Sequence, residues 1–141
     1  MERHTIRRLI IDASVLIKWW VDEPNSSDAR ALRDAFLDGD VELIAPDLAQ
    51  YEVTNALACV PSLSTADVEL AIHQLLHFGI DFVPIDEHLL VASVELSRES
   101  KLAIYDAVYA ALATRRAAIL ITADRKLLQS YPHARALTVI G

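Results

Sequence analysis

Glycine is scarce in this chain of 141 residues: only Gly39, Gly79 and Gly141 are present. Neither a G-x-G-x-x-G dinucleotide fingerprint nor a phosphate-binding P-loop can be written with three glycines so far apart. Cysteine is scarcer still. Cys59 stands alone, which excludes an internal disulfide and any multi-cysteine zinc site. Long uncharged apolar runs are missing, so no membrane-spanning segment is expected. Met1–Arg8 leads straight into Leu9-Ile10-Ile11-Asp12 without a long hydrophobic region or a small-residue cleavage site. No secretory signal is therefore read, and the cytoplasm is the expected compartment. Positive charge is also in deficit, with 13 Lys and Arg against 20 Asp and Glu, a net −7. Generic nucleic-acid affinity normally needs a basic surface, so nucleic acid enters only if the acids do something specific.

Hydrophobic residues make up 53% of the chain, which excludes disorder. A chain of this length buries about 68–70% of its unfolded surface, enough for a single core. Strand-length apolar runs alternate with helical patterns. The expected strands are Leu9–Ile11, Val41–Ala45, Asp81–Ile85, Ala118–Ile121 and Ala136–Ile140. Pro84 points the third of them to a sheet edge. Helices are expected over Val15–Val21, from a Ser26 or Ser27 cap to Leu37, from Pro46-Asp47 to Cys59, and from a Ser64 cap to Gly79. Others are expected over Asp86–Ser100, Ile104–Arg116 and Arg125–Ser130. Short turns between alternating strands and helices give one α/β domain over residues 1–141, a parallel sheet covered on both faces.

Most acids sit on polar faces or, like Asp47, Asp86 and Glu87, at helix N-termini where the dipole favours them. Four are placed differently. Asp12 directly follows the first strand, and Asp124 follows the fourth in Ile121-Thr122-Ala123-Asp124. In open parallel sheets ligands bind beyond the carboxyl ends of strands, where strand order reverses. The competing role for each is to cap the helix behind it. Asp106 is the only charge in Ala103–Ala113, and Glu52 the only charge in Leu48–Leu57, with Asn55 three residues on. Neither segment supplies a basic partner. Two carboxylates about 5 Å apart repel by roughly 3 kcal/mol at an effective dielectric of about 20. Four acids converging on one site therefore require protons or cations. Oxygen ligands without histidine or thiolate suit Mg²⁺ or Mn²⁺, and such a site suits phosphodiester hydrolysis.

Asp12-Ala13-Ser14-Val15-Leu16-Ile17-Lys18-Trp19, Pro46-Asp47-Leu48 through Glu52-Val53-Thr54-Asn55-Ala56-Leu57, Tyr105-Asp106-Ala107 through Ala113, and Thr122-Ala123-Asp124 recur in one order. That ordered set resembles the PIN-domain family and, more narrowly, the VapC-type toxin ribonucleases. The resemblance runs nearly end to end. It implies a three-layer α/β/α fold with a five-stranded parallel sheet of order 3-2-1-4-5. It implies a Mg²⁺- or Mn²⁺-dependent endoribonuclease whose catalytic and metal-binding acids are Asp12, Glu52, Asp106 and Asp124, supported by Ser14, Asn55 and Thr122. It further implies an RNA substrate, a cognate antitoxin and a homodimer. Some members carry another acid two residues after the last; this chain has Lys126 there.

Other signals have simpler readings. His73 and His77 have the spacing of a zinc pair but no third ligand, so a helix-surface role is expected. Trp19 and Trp20 can stack on bases, but packing is the expected use. Arg125 and Lys126 are candidate phosphate contacts. The helix dipole accounts for Arg115-Arg116. Competing functions are a catalytically inactive PIN-like RNA- or protein-binding module and another Mg-dependent phosphoester hydrolase. A phosphatase with an Asp nucleophile wants a second Asp where Ser14 stands, and a receiver domain wants a lysine after a late strand.

Overall fold

A computed structural model describes residues 6–137 of the chain. Five strands form one parallel sheet: β1 (Arg7–Ile11), β2 (Val41–Pro46), β3 (Asp81–Val83), β4 (Ile119–Thr122) and β5 (Ala134–Ala136). Their spatial order is β3-β2-β1-β4-β5. Every neighbouring pair runs parallel, with Leu9 opposite both Leu43 and Ile119. The helices are α1 (Ala13–Leu16), α2 (Ser26–Leu37), α3 (Leu48–Ala58), α4 (Thr65–His77), α5 (Glu87–Ser100), α6 (Ile104–Arg116) and α7 (Arg125–Ser130). They cover both sides of the sheet, the arrangement implied by the sequence.

The core forms where the central strands meet the helices. Ile10, Ile11, Leu120 and Ile121 are fully enclosed, as parallel strands covered on both faces require. Helix α6 crosses β1, β2 and β4 and is covered from outside by α5. Its residues Ala107–Ala113 are all buried, including Tyr109. Four alanines in that run allow the close approach, and the approach brings the start of α6 to the carboxyl end of the sheet. Among the described residues no helix is long and apolar enough to cross a membrane.

Several expected boundaries shift for local reasons. The helix expected over Val15–Val21 is shorter, ending in a 3₁₀ turn at Ile17–Trp19. Trp19 packs into the core there, while Trp20 stacks on Phe78 and donates to Gln74 at 2.8 Å. Neither Ser26 nor Ser27 caps α2. Ser26 is buried, accepts from the Glu23 amide at 2.8 Å and donates to the Val21 carbonyl at 2.9 Å, closing the loop before the helix. Asn25 takes the cap position in the left-handed region. Pro46 ends β2 opposite Val83 instead of opening α3. Ser64 caps α4 as expected, in a reciprocal capping box with Asp67. Strand β3 is an edge strand, as its proline suggested, and stops at Val83. Strand β5 starts at Ala134, two residues before the expected Ala136, and the expectation over 138–140 lies outside the described residues.

Candidate active site

The strand order reverses between β1 and β4, and each of these strands ends in one of the singled-out acids. The Asp12 amide donates to the Ile121 carbonyl at 3.0 Å, locking the two strand ends together. Asp12 occupies the position before α1 but makes no side-chain capping bond, so the capping role considered for it fails. Its carboxylate instead receives two hydroxyl protons on the same oxygen, Oδ2. Ser14 Oγ donates at 2.8 Å and Thr122 Oγ1 at 2.7 Å.

Each hydroxyl is oriented from behind. Ser14 Oγ accepts from the Ala123 amide at 3.0 Å, and Thr122 Oγ1 from the Asp124 amide at 2.9 Å. Each hydroxyl has one proton, and both protons point to Asp12. The arrangement holds Asp12 as an acceptor and leaves its Oδ1 without a side-chain donor among the described residues. Burial nonetheless raises the Asp12 pKa above 3.8, outweighing both hydroxyls, and the charge of Asp124 adds to the rise.

Asp124 does what its position suggested, capping α7 by accepting from the Lys126 amide at 2.8 Å. Asp106 lies half-buried in the first turn of α6, a helix start that has no side-chain cap. Its pKa is raised, first by burial, then by the charges of Asp124 and Asp12, with Lys126 opposing them. Glu52, on α3, is also half-buried and raised by burial and by the charges of Asp12 and Asp106. Tyr109 Oη donates to Glu52 Oε1 at 2.7 Å. The burial of Tyr109, together with the charges of Asp12 and Glu52, pushes its phenol well above its ordinary value of 10.

Four acids from two strand ends and two helices thus sense one another. Among the described residues, however, no three acid, histidine or cysteine side chains are already drawn into a metal cage. Mutual repulsion and separate anchors account for this spacing: Asp12 is held by two hydroxyls, Glu52 by Tyr109 and Asp124 by its helix. The donor chemistry still fits a hard cation, because every candidate ligand is a carboxylate oxygen.

The supporting residues divide. Ser14 and Thr122 are in contact with Asp12. Asn55 is not with them: it is exposed and lines a groove between α3 and α4 with Tyr51, Thr54 and Leu76. Three residues beyond Glu52, it lies about 60° away around α3, on the side that meets α4. Arg125 and Lys126 are both exposed beside Asp124. Tyr109 was missed as a site residue, although its position one turn after Asp106 in an alanine-rich helix was a signal.

The remaining sequence signals lie elsewhere. His73 and His77 stack on the exposed face of α4 with ring centres 4.2 Å apart, and His77 Nδ1 donates to the His73 carbonyl at 2.8 Å. Arg115, read as a dipole partner, also binds Asp86 at 2.9 Å and joins the end of α6 to the start of α5.

Comparison with known proteins agrees with this geometry. The PIN domain family model matches residues 9–132. Ribonuclease VapC3 of Pyrobaculum aerophilum is 32% identical over 130 residues, covering 89% of this chain and 95% of that protein. Among solved structures, PAE2754 of Pyrobaculum aerophilum superposes with a TM-score of 0.74 at 24% identity, over 96% of this chain and 86% of that one. A toxin–antitoxin complex from Klebsiella pneumoniae gives 0.72 at 19% identity, over 92% and 97%. With the family match spanning nearly the whole described chain, and with the strand order and strand-end acids already in place, this chain belongs to the PIN-domain family.

Proposed function

We propose that the protein is a divalent-metal-dependent endoribonuclease and the toxin of a toxin–antitoxin pair. The observation that carries the reading is the Asp12 carboxylate at the β1–β4 reversal point, fixed by two hydroxyls and within electrostatic reach of Asp124, Asp106 and Glu52. The name of the Pyrobaculum ribonuclease and the complex from Klebsiella support the activity class and the antitoxin partner. Exposed Leu90, Val91 and Val94 on α5 support a homodimer.

Asp12, Asp106, Asp124 and Glu52 would hold Mg²⁺ or Mn²⁺. Such an ion, when bound, makes an attacking water more acidic and stabilises charge on the leaving oxygen. The protein's own groups prepare that chemistry. Ser14 and Thr122 favour the ionised form of Asp12 against its burial and aim it, and Tyr109 holds Glu52 in one orientation. Asp12, Glu52 and Asp106 have raised pKa values, first through burial and then through one another's and Asp124's charge, and a bound cation would relieve the second part. Arg125 and Lys126, exposed beside Asp124, are placed to contact the RNA backbone.

The test is incubation of purified protein with mixed cellular RNA in Mg²⁺, in Mn²⁺ and with a chelator, beside Asp12→Asn. Metal-dependent fragments that disappear with chelator and in Asp12→Asn are expected. Equal cleavage in all four conditions overturns the proposal. Intact RNA in every condition, with binding retained, points instead to a binding module.

A further inference from the structure

The opposite end of the sheet carries a furrow of a different character. One part, of about 630 Å³, is lined by Ile6, Arg7, Arg8, Glu42, Arg116, Ala117 and Ala118. A second part, of about 320 Å³, shares Ala117 and Ala118 and continues to Thr114, Tyr131 and His133. Three of the chain's basic residues thus meet at the amino ends of the strands, in a protein whose net charge is −7.

Their charge is only partly spent. Arg8 is paired with Glu42 at 2.9 Å, whereas neither Arg7 nor Arg116 makes an ion pair among the described residues. Both are exposed. At the other end of the furrow the exposed His133 ring stands edge-on to Tyr131, with centres 5.6 Å apart. Tyr131 itself is fixed by a 2.8 Å bond between its hydroxyl and Thr114. Guanidinium groups at one end and a braced ring at the other are the two components that bind nucleic-acid strands without reading sequence: charge for phosphates and a flat face for a base.

We propose that this furrow is a second contact for the RNA substrate, in which Arg7 and Arg116 hold backbone phosphates and His133 offers a stacking face. The inference rests on the ribonuclease reading, because the acidic end alone gives RNA little electrostatic attraction. The five residues of β1 separate the two ends by roughly 17 Å. An oligonucleotide of about two or three nucleotides seated at the acids is too short to span that distance, whereas a large folded RNA is not. The furrow therefore selects for extended or structured RNA, and it offsets the repulsion that the acids present to phosphate.

The experiment compares Arg7→Ala/Arg116→Ala with the unaltered protein. Binding is titrated over a salt series in an Asp12→Asn background, using a large folded RNA and a short single-stranded oligonucleotide. Cleavage of both RNAs is measured with Asp12 restored. Loss of two phosphate contacts is expected to lower the salt slope for the large RNA by about 1.4 to 1.8, weakening its binding and slowing its cleavage, with the short substrate cut as before. Arg7→Lys/Arg116→Lys keeps the charges and should keep most of the slope, which separates lost charge from lost fold. An unchanged slope for the large RNA in the alanine pair overturns the furrow while leaving the nuclease intact. Equal losses on long and short RNA also overturn it. A parent protein that neither binds nor cuts any RNA overturns the nuclease reading and the furrow together.

Discussion

Two hydroxyl groups on one carboxylate oxygen make Asp12 the most constrained of the four acids, and its constraint can be tested one proton at a time. Thr122→Val keeps the shape of a fully buried side chain but removes a hydrogen bond to a charged group. It also leaves the Asp124 amide without its acceptor. A loss of about 1.5–3 kcal/mol is expected by urea unfolding at neutral pH, shrinking in acid as Asp12 takes up its proton. A loss independent of pH would show that packing, not the charge on Asp12, needs the hydroxyl. Catalysis and binding separate at Asp106 and Lys126. Asp106→Asn removes one charge from the proposed metal set and keeps the size of the side chain. Cleavage should fall by orders of magnitude, each tenfold corresponding to about 1.4 kcal/mol of barrier, while RNA binding persists. Lys126→Ala should weaken binding and flatten its salt dependence. The check is single-turnover cleavage beside a binding titration; full cleavage in Asp106→Asn would exclude that residue from the chemistry.

Helix ends show a different use of local chemistry, and two of them, at Lys101 after α5 and at Ala117 after α6, are strained. Helix α6 ends at Ala117 with φ +50°, in the left-handed region where α2 and α4 are each followed by a glycine, at Gly39 and Gly79. A Cβ in that region costs about 1–2 kcal/mol, part of which glycine returns through the greater freedom of the unfolded chain. Ala117→Gly should therefore stabilise the protein by about 0.5–1 kcal/mol, seen as a higher urea midpoint at unchanged slope. A lower midpoint would mean that the alanine methyl packs usefully against the furrow. The two glycines marked their helix ends in the sequence because no other residue is as well suited to that turn. Ala117 carried no such mark. The same contrast runs through the fold. Helices α6 and α7 were legible to the residue, since Ile104–Arg116 and Arg125–Ser130 are bounded by sharp changes in composition. The α1 region was not, because two adjacent tryptophans that pack on each other and both on Phe78 override helical periodicity. Asp12 and Asp124 were legible at the site because they end apolar strands. Asn55 was misplaced because spacing alone does not fix which side of a helix faces the site, and the Tyr109–Glu52 bond joins residues 57 positions apart that no local pattern relates.

Burial of three acids, reinforced by their mutual repulsion, should govern how the stability of the whole molecule depends on pH. Asp12, Glu52 and Asp106 all titrate above their ordinary values of 3.8, 4.5 and 3.8, so each holds its proton more firmly in the folded chain than in the unfolded one. The stability this contributes is present below the ordinary carboxylate range and is lost as pH rises through the shifted values. Asp67 and Asp86 act in the opposite sense. Backbone hydrogen bonds at their helix caps, and Arg115 beside Asp86, hold both below 3.8. Their contribution is present above that value and fades as pH falls beneath it. In chelator, the melting temperature should consequently drop as pH rises above the ordinary carboxylate values of 3.8 and 4.5, and drop again as pH falls below 3.8. Mn²⁺ should reverse the neutral-pH loss, since a ligand at a hundredfold excess over Kd adds about 2.7 kcal/mol. Its effect should be weaker at pH 5, where protons compete for the same oxygens. Asp12→Asn removes the most buried of the three raised acids. It should flatten the chelator curve and blunt the response to Mn²⁺, and at neutral pH it should melt higher than the parent without metal. Identical pH slopes for the two proteins, or equal stabilisation of both by Mn²⁺, would mean that Asp12 is not where the acids and the cation meet.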